Sequence, residues 1–221
     1  MFINPKAISK LSGIIFSCIL KKDGRIDPGK IKFIKNAKNE GGIDFREFVK
    51  KIPLLEETCQ ELEFFSKDVL GKKEIDSEAV CAFFGGNPHL DYSIKNIKEN
   101  GLGGDFFHLF LISHILLPVK VTKKGEAIFG EYVNGDLRVR FENLNLAKNH
   151  FKVHDGQIVL VHYGFIVADS ISLSNTEMLL EIQRQREEFV KACQAINNVD
   201  CKKLLQFFRL ISKGSRVLNC G

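Results

Sequence analysis

Several features that would name a function are missing from this 221-residue chain. Its longest strongly apolar stretch, Phe106 to Val119, carries two histidines and stops at Pro118. It is too short to cross a bilayer core of roughly 30 Å and reads as a buried helix, so no transmembrane segment is expected. The six cysteines, Cys18, Cys59, Cys81, Cys193, Cys201 and Cys220, form no C-x-x-C pair and no regular framework. That excludes a disulfide-stapled miniprotein and predicts reduced thiols in an intracellular, cytoplasmic protein. Internal repeats and low-complexity linkers are absent. So are the phosphate-loop, dinucleotide and G-x-S-x-G signatures, since Gly101-Leu102-Gly103-Gly104 matches neither of the first two and follows no strand. No cofactor is therefore expected. Lys6 and Lys10 precede an apolar run, Leu11 to Leu20, but the run ends in Lys21-Lys22-Asp23 without a small-residue cleavage site. It does not read as a secretory signal.

Apolar residues make up 44% of the chain and charged residues 27%, which excludes disorder and fits one globular domain or two small ones. A chain this long buries roughly 70% of its unfolded surface and needs no structural metal. Nineteen Phe stand against no Trp, and Lys far outnumbers Arg. Phe, Ile, Lys and Asn have AT-rich codons, which points to an AT-rich viral or bacterial genome. The net charge of +5 is unevenly placed: residues 1–50 and the last fifty are basic, while residues 51–105 are acidic.

The pattern predicts an α+β protein, with a helical region over 1–104 and an antiparallel sheet flanked by helices over 105–221, the two either separate or one continuous domain. In the first region Asp27-Pro28, Asp44, Asp76, Asp91 and Asp105 read as helix starts, and glycines at 41–42, 71 and 85–86 as stops. From Pro118 the period becomes alternating. Strands are expected at 119–123, 126–133 and 137–143, with Asn134-Gly135 marking a hairpin, and a nearly all-apolar strand at 157–167 at the sheet centre. Two C-terminal helices follow. One opens at the Ser174-Asn175-Thr176-Glu177 capping box and runs to about Asn197, with Arg186 the one polar residue in its apolar stripe; the other is capped by Asp200.

Several constellations bear on candidate chemistry. Asp23-Gly24-Arg25-Ile26-Asp27 has the lettering of an EF-hand centre, but the remaining ligand positions fall on Ile19, Lys21 and Lys30, which excludes calcium. The same turn, extended to Pro28, resembles the interhelical turn of tellurite-resistance-type helical domains over six residues, with Lys30 where that family usually has an acid. His150, His154 and His162 lie within thirteen residues and form a candidate metal group, although no further ligand motif accompanies them. His108 and His114, on one apolar helix, lie about 240° apart and cannot share a site by themselves. Cys201, between Asp200 and Lys202-Lys203 at a helix start, has the local setting of an activated thiol. Glu56, Glu57, Glu61 and Glu63 read as a solvated helix face. Asp200-Cys201-Lys202 spells a nuclease acid-x-lysine element but stands at a helix start rather than on a strand.

The remaining signal is basic. Arg138 and Arg140 alternate with Leu137, Val139 and Phe141, so both point to one face of the hairpin, and Lys120 joins them from the neighbouring strand. Arg184, Arg186, Lys202 and Lys203 extend positive charge over the C-terminal helices. This surface suits phosphate backbones and predicts a non-enzymatic protein that contacts nucleic acid, RNA in preference, without base specificity. A protein-interaction or self-associating assembly subunit is the alternative. A hydrolase using Cys201 or the His150/His154/His162 group is the third reading.

Overall fold

The computed structural model describes residues 1–52, 56–99, 101, 103–147, 152–168 and 171–214. The chain is a mixed α/β protein with a helical first half and a second half built on a seven-stranded sheet.

The first half runs β1 (Phe2–Ile3), α1 (Pro5–Asp23), α2 (Pro28–Asn39), β2 (Ile43–Asp44), α3 (Phe45–Lys51), α4 (Glu56–Phe64), β3 (Glu74–Ile75), α5 (Ser77–Gly85), α6 (Asn87–Glu99) and α7 (Asp105–His114). Three of the anticipated caps form as expected: Asp27, Asp44 and Asp76 each accept a backbone N–H from the first turn of their helix. Asn4 caps α1 in the same way, so that helix starts a full turn and a half before its apolar run. Asp91 is not a cap. It lies inside α6, which begins at Asn87, because the backbone is already helical from the residue after Gly86. The half is also not purely helical, since β2, β1 and β3 form a small three-stranded sheet that ties the N-terminus down.

The second half supplies β4 (Leu117–Lys124), β5 (Ala127–Asn134), β6 (Leu137–Glu142), β7 (Asn145–Leu146), β8 (Ile158–His162), β9 (Phe165–Ala168), α8 (Leu173–Arg184), α9 (Glu187–Ala195), β10 (Asn198–Asp200) and α10 (Cys201–Gly214). The strand order is β10-β6-β5-β4-β8-β9-β7. The hairpin at Asn134-Gly135 is present, with Gly135 at φ 62° in the turn. The sheet is larger than the small antiparallel one expected, and it is mixed: β10 pairs parallel to β6, and β7 parallel to β9. Strands of two and three residues are too short to leave an alternating pattern.

Two further expectations are corrected. The apolar run 157–167 is a hairpin, β8 and β9, turning at Tyr163 and Gly164, whose φ values of 52° and 75° meet the demand of a two-residue turn for left-handed backbone. All of β9, and β8 from Val159 onward, are buried, so hydrophobicity continued through the turn and concealed it. The long helix 174–197 is two helices, giving three C-terminal helices rather than two. The break falls at Arg186, which is extended at φ −106° and ψ 107°; Glu187 and Glu188 then sit in the first turn of α9, where carboxylates favour a helix start. The cap of α8 is Ser172, two residues ahead of the expected Ser174.

One cluster of buried side chains extends from Ile3 to Phe208 and includes residues of both halves. Helices α8 and α9 cover one face of the central strands, where the Tyr132 ring meets Phe189 edge-on and its hydroxyl donates to Gln183 Oε1. Among the described residues no helix is long and apolar enough to cross a membrane.

Candidate metal centre

Three elements distant in sequence converge on one buried spot. His89 comes from the first turn of α6, His114 is the last residue of α7, and His162 is the last residue of β8. One ring nitrogen from each lies within 4.8 Å of the others. All three side chains are buried, His162 almost completely. The His89 and His114 ring centres are 4.5 Å apart and those of His114 and His162 5.4 Å. Aromatic rings enclose them: Phe84 and Phe83 beside His89, Phe110 edge-on to His114, and Tyr163 stacked on His114 at 5.0 Å.

The placement follows from helix periodicity. On α1, Gly13, Ser17 and Lys21 recur every fourth residue and share one face. Gly13 lies at the point where α1 meets β9, so close that a Cβ there would stand 2.0 Å from the Val167 carbonyl oxygen. One turn later Ser17 Oγ is 2.8 Å from His162 Nδ1, and a further turn on, the Lys21 ammonium lies 3.7 Å from the centre of the Tyr163 ring. On α6, His89 and Ser93 are likewise one turn apart, and Ser93 Oγ is 3.0 Å from His114 Nδ1.

The two serines fix the proton positions. Each hydroxyl has one hydrogen, and each donates it to a backbone carbonyl: Ser17 to Ile14 and Ser93 to His89, both at 2.6 Å. The serine oxygens are therefore acceptors toward the histidines, so His162 and His114 carry their proton on Nδ1 and present a bare Nε2 lone pair. His162 Nε2 and His89 Nε2 are buried and have no hydrogen-bond partner. Burial also keeps the rings neutral. It holds His89 down at about 4, and it pushes His114 and His162 well below the ordinary histidine range, with neighbouring rings and Lys21 acting in the same direction and the His114 backbone carbonyl opposing it at His162. Neutral imidazoles, two of them oriented through Nδ1 by a serine, have the donor chemistry of a transition-metal site. Tetrahedral zinc spaces its nitrogen ligands about 3.3 Å apart, so the three rings would have to draw closer together to share an ion.

The histidine group expected from sequence is thus divided. His162 belongs to the buried centre, His154 lies exposed in a turn, and His150 is outside the described residues. His108 remains apart from His114, as its angular offset requires, although its buried Nδ1 also has no hydrogen-bond partner. Cys201 is fully buried, and burial, reinforced by the Asp200 and Glu142 charges, pushes its thiol up to about 12. It faces the core as the first residue of α10, which removes the setting that an activated thiol needs.

The basic residues do not form one surface. Lys120, Arg138 and Arg140 do share the exposed face of the central strands, where Glu131 stands between them: it pairs with Lys120 in the β4–β5 register and lies 3.6 Å from both guanidinium groups. Lys202 and Lys203 are exposed at the start of α10, donating their backbone N–H groups to Asp200. Arg184 pairs with Glu181, and Arg186 pairs with Asp91 while starting α9, both in the helical layer on the other side of the sheet.

Comparison with protein-family models, curated proteins and solved structures gives no match to this chain.

Proposed function

We propose that this protein binds a divalent transition-metal ion, zinc or cobalt by donor type, through His89, His114 and His162. The carrying observation is the convergence of one ring nitrogen from each of the three buried histidines within 4.8 Å, with the Nε2 atoms of His89 and His162 lacking a hydrogen-bond partner. An unpaired buried polar atom costs about 1–3 kcal/mol, and several in one place are retained where something else satisfies them. Titrating the metal-free protein with cobalt(II) tests the reading. One equivalent should bind, produce visible ligand-field bands and raise the melting temperature. His162→Ala should abolish those bands and His154→Ala should leave them unchanged. The reading fails if wild-type protein shows no saturable binding at millimolar cobalt.

A second reading is supported by the common face of Lys120, Arg138 and Arg140: contact with the phosphate backbone of nucleic acid, RNA in preference, through the exposed side of the sheet. Glu131 offsets part of that charge. Binding of single-stranded RNA at 50 mM salt that weakens as salt rises, and weakens further in Arg138→Ala/Arg140→Ala, is the expected result. No binding at low salt removes this reading.

A further inference from the structure

Leu210 on α10 is 71% exposed, the most of any large apolar side chain among the described residues. It follows Lys203 and Phe207 at the i, i+4, i+7 spacing, so the three share one helix face, distinct from the buried face of Cys201, Leu204 and Phe208. The half-buried Phe207 ring stacks on Phe106 at the start of α7, with ring centres 5.2 Å apart, and Phe106 is itself 54% exposed. The apolar patch thus spans two elements. Its basic end is unneutralised: Asp200 is engaged by the backbone N–H groups of Lys202 and Lys203, and neither ammonium group forms an ion pair among the described residues. A second exposed face repeats this spacing with the opposite charge. On α4, Glu57, Glu61 and Phe64 stand at i, i+4 and i+7, and Phe64 is 61% exposed, while Cys59 and Leu62 turn into the core. Glutamates one turn apart repel. Partial burial and Glu57 raise the Glu61 carboxyl above its ordinary value, with Lys95 opposing them.

We propose that the Lys203–Phe207–Leu210 face of one copy docks on the Glu57–Glu61–Phe64 face of a second copy of this chain. Charge complementarity and matched spacing select that occupant. Seven residues of helix rise about 10.5 Å on either side, so parallel alignment sets the lysines against the glutamates and Phe207 and Leu210 against Phe64. The contact relieves the like-charge pair on α4 and covers the apolar ends of both faces. It joins different surfaces of the two copies, which makes the association head to tail. One helix face from each partner gives a small contact of the weak, reversible class.

Sedimentation velocity of the full chain tests this. At low salt the average mass should rise above that of the monomer as protein is concentrated to about 100 μM, and added salt should lower it. Lys202→Glu/Lys203→Glu and Glu57→Lys/Glu61→Lys should each be monomeric when alone, because each carries two faces of like charge. An equal mixture of the two should associate again, since the unchanged face of one meets the unchanged face of the other. Leu210→Ser should weaken wild-type association about tenfold at every salt concentration. All of these side chains are exposed, so melting temperatures near wild type confirm that the variants are folded. Wild-type protein that stays monomeric at low salt overturns the proposal, as does a mixture that fails to associate or association that survives either charge reversal. Wild-type monomer that instead sediments with anionic phospholipid vesicles, and loses them in Lys202→Glu/Lys203→Glu, would assign the α10 face to a membrane surface and overturn the proposal as well.

Discussion

Ser17 and His162 are 145 residues apart in the chain, yet their side chains share a 2.8 Å hydrogen bond inside the core. Its direction is set by a third group: Ser17 already donates to the Ile14 carbonyl one turn back on α1, so the bond runs from His162 Nδ1–H to the serine oxygen. A helix hydroxyl thereby determines which nitrogen of a strand histidine is bare. Ser93 does the same for His114. Side chains that do nothing but orient ligands in this way commonly tune a metal centre as strongly as the ligands do.

Replacing Ser17 with Ala removes the acceptor and leaves a buried N–H unsatisfied. The metal-free protein should lose about 1–3 kcal/mol. Cobalt affinity should fall about 10- to 100-fold, because the ring can then reverse its tautomer or rotate. Ser12→Ala is the comparison, since Ser12 lies on the same helix and its hydroxyl donates locally to the Ser9 carbonyl. Its cobalt affinity should match wild type, as measured by competition with a chelating dye.

Acid should destabilise the metal-free protein through the same histidines. A histidine held at about 4 in the folded state and near its ordinary 6.5 when unfolded takes up its proton first in the unfolded chain. Its contribution is therefore complete above about pH 6.5 and is lost as the pH falls toward 4, a change on the order of 3 kcal/mol for His89 alone. His114 and His162 shift in the same direction. Urea midpoints of wild type should fall steeply across that window, and those of His89→Gln should fall less. Parallel curves for the two proteins would contradict this origin.

The caps and the central hairpin were legible in the sequence because their signals are local: an aspartate before a proline or an apolar stripe, and Asn-Gly between alternating strands. The cluster of His89, His114 and His162 was not, because the three come from α6, α7 and β8 and share no spacing. A weaker signal was present. His114 and His162 each interrupt an otherwise apolar run, and an ionisable group in such a run must be neutral and held by a partner when buried. The basic surface shows the opposite failure. Alternation correctly put Arg138 and Arg140 on one face, but register, which places Glu131 between them and Lys120, is set by pairing across strands and cannot be read along one.

Gly13 sets how closely α1 approaches β9. A methyl group there would overlap the Val167 carbonyl oxygen, which belongs to the backbone and cannot rotate away. Gly13→Ala should cost about 1–3 kcal/mol or more by forcing the helix outward. Cobalt affinity should fall with it, because Ser17 lies one turn further along the same face. Gly103→Ala, where nothing lies within 4 Å of the added carbon, should leave both quantities unchanged. Thermal melts and cobalt titrations of the two variants separate these outcomes.

Cys201 should resist alkylation. With the thiol buried and pushed up to about 12, almost none is ionised at pH 8, and the thiolate is the reactive form. Native protein treated with iodoacetamide should show no modification at Cys201 by peptide mapping, whereas protein unfolded in guanidinium should be labelled fully. The half-buried Cys18 provides the internal comparison. Rapid native labelling of Cys201 at pH 6 would instead restore it as a candidate nucleophile.

Gln183 ties the helical layer to the sheet through buried hydrogen bonds. It is 1% exposed, accepts from the Tyr132 hydroxyl, and donates from Nε2 to the carbonyls of Gly85 and Leu116, at the end of α5 and the entry to β4. Glutamate has nearly the same shape but no amide protons, so Gln183→Glu would set a buried carboxylate oxygen against two carbonyl oxygens. The loss at neutral pH should reach about 3 kcal/mol or more. Burial would raise the pKa of the new carboxyl, and a folded state that holds its proton more tightly than the unfolded chain gains stability as the pH falls. The difference between Gln183→Glu and wild type should therefore narrow from pH 7 toward pH 5, since the protonated acid can donate one of the two missing bonds. Gln183→Met, which cannot ionise, should show a deficit that stays constant over the same range. A Gln183→Glu deficit that also stayed constant would mean that its carboxylate had turned out to solvent, and that α8 can separate from α5 and β4 at little cost.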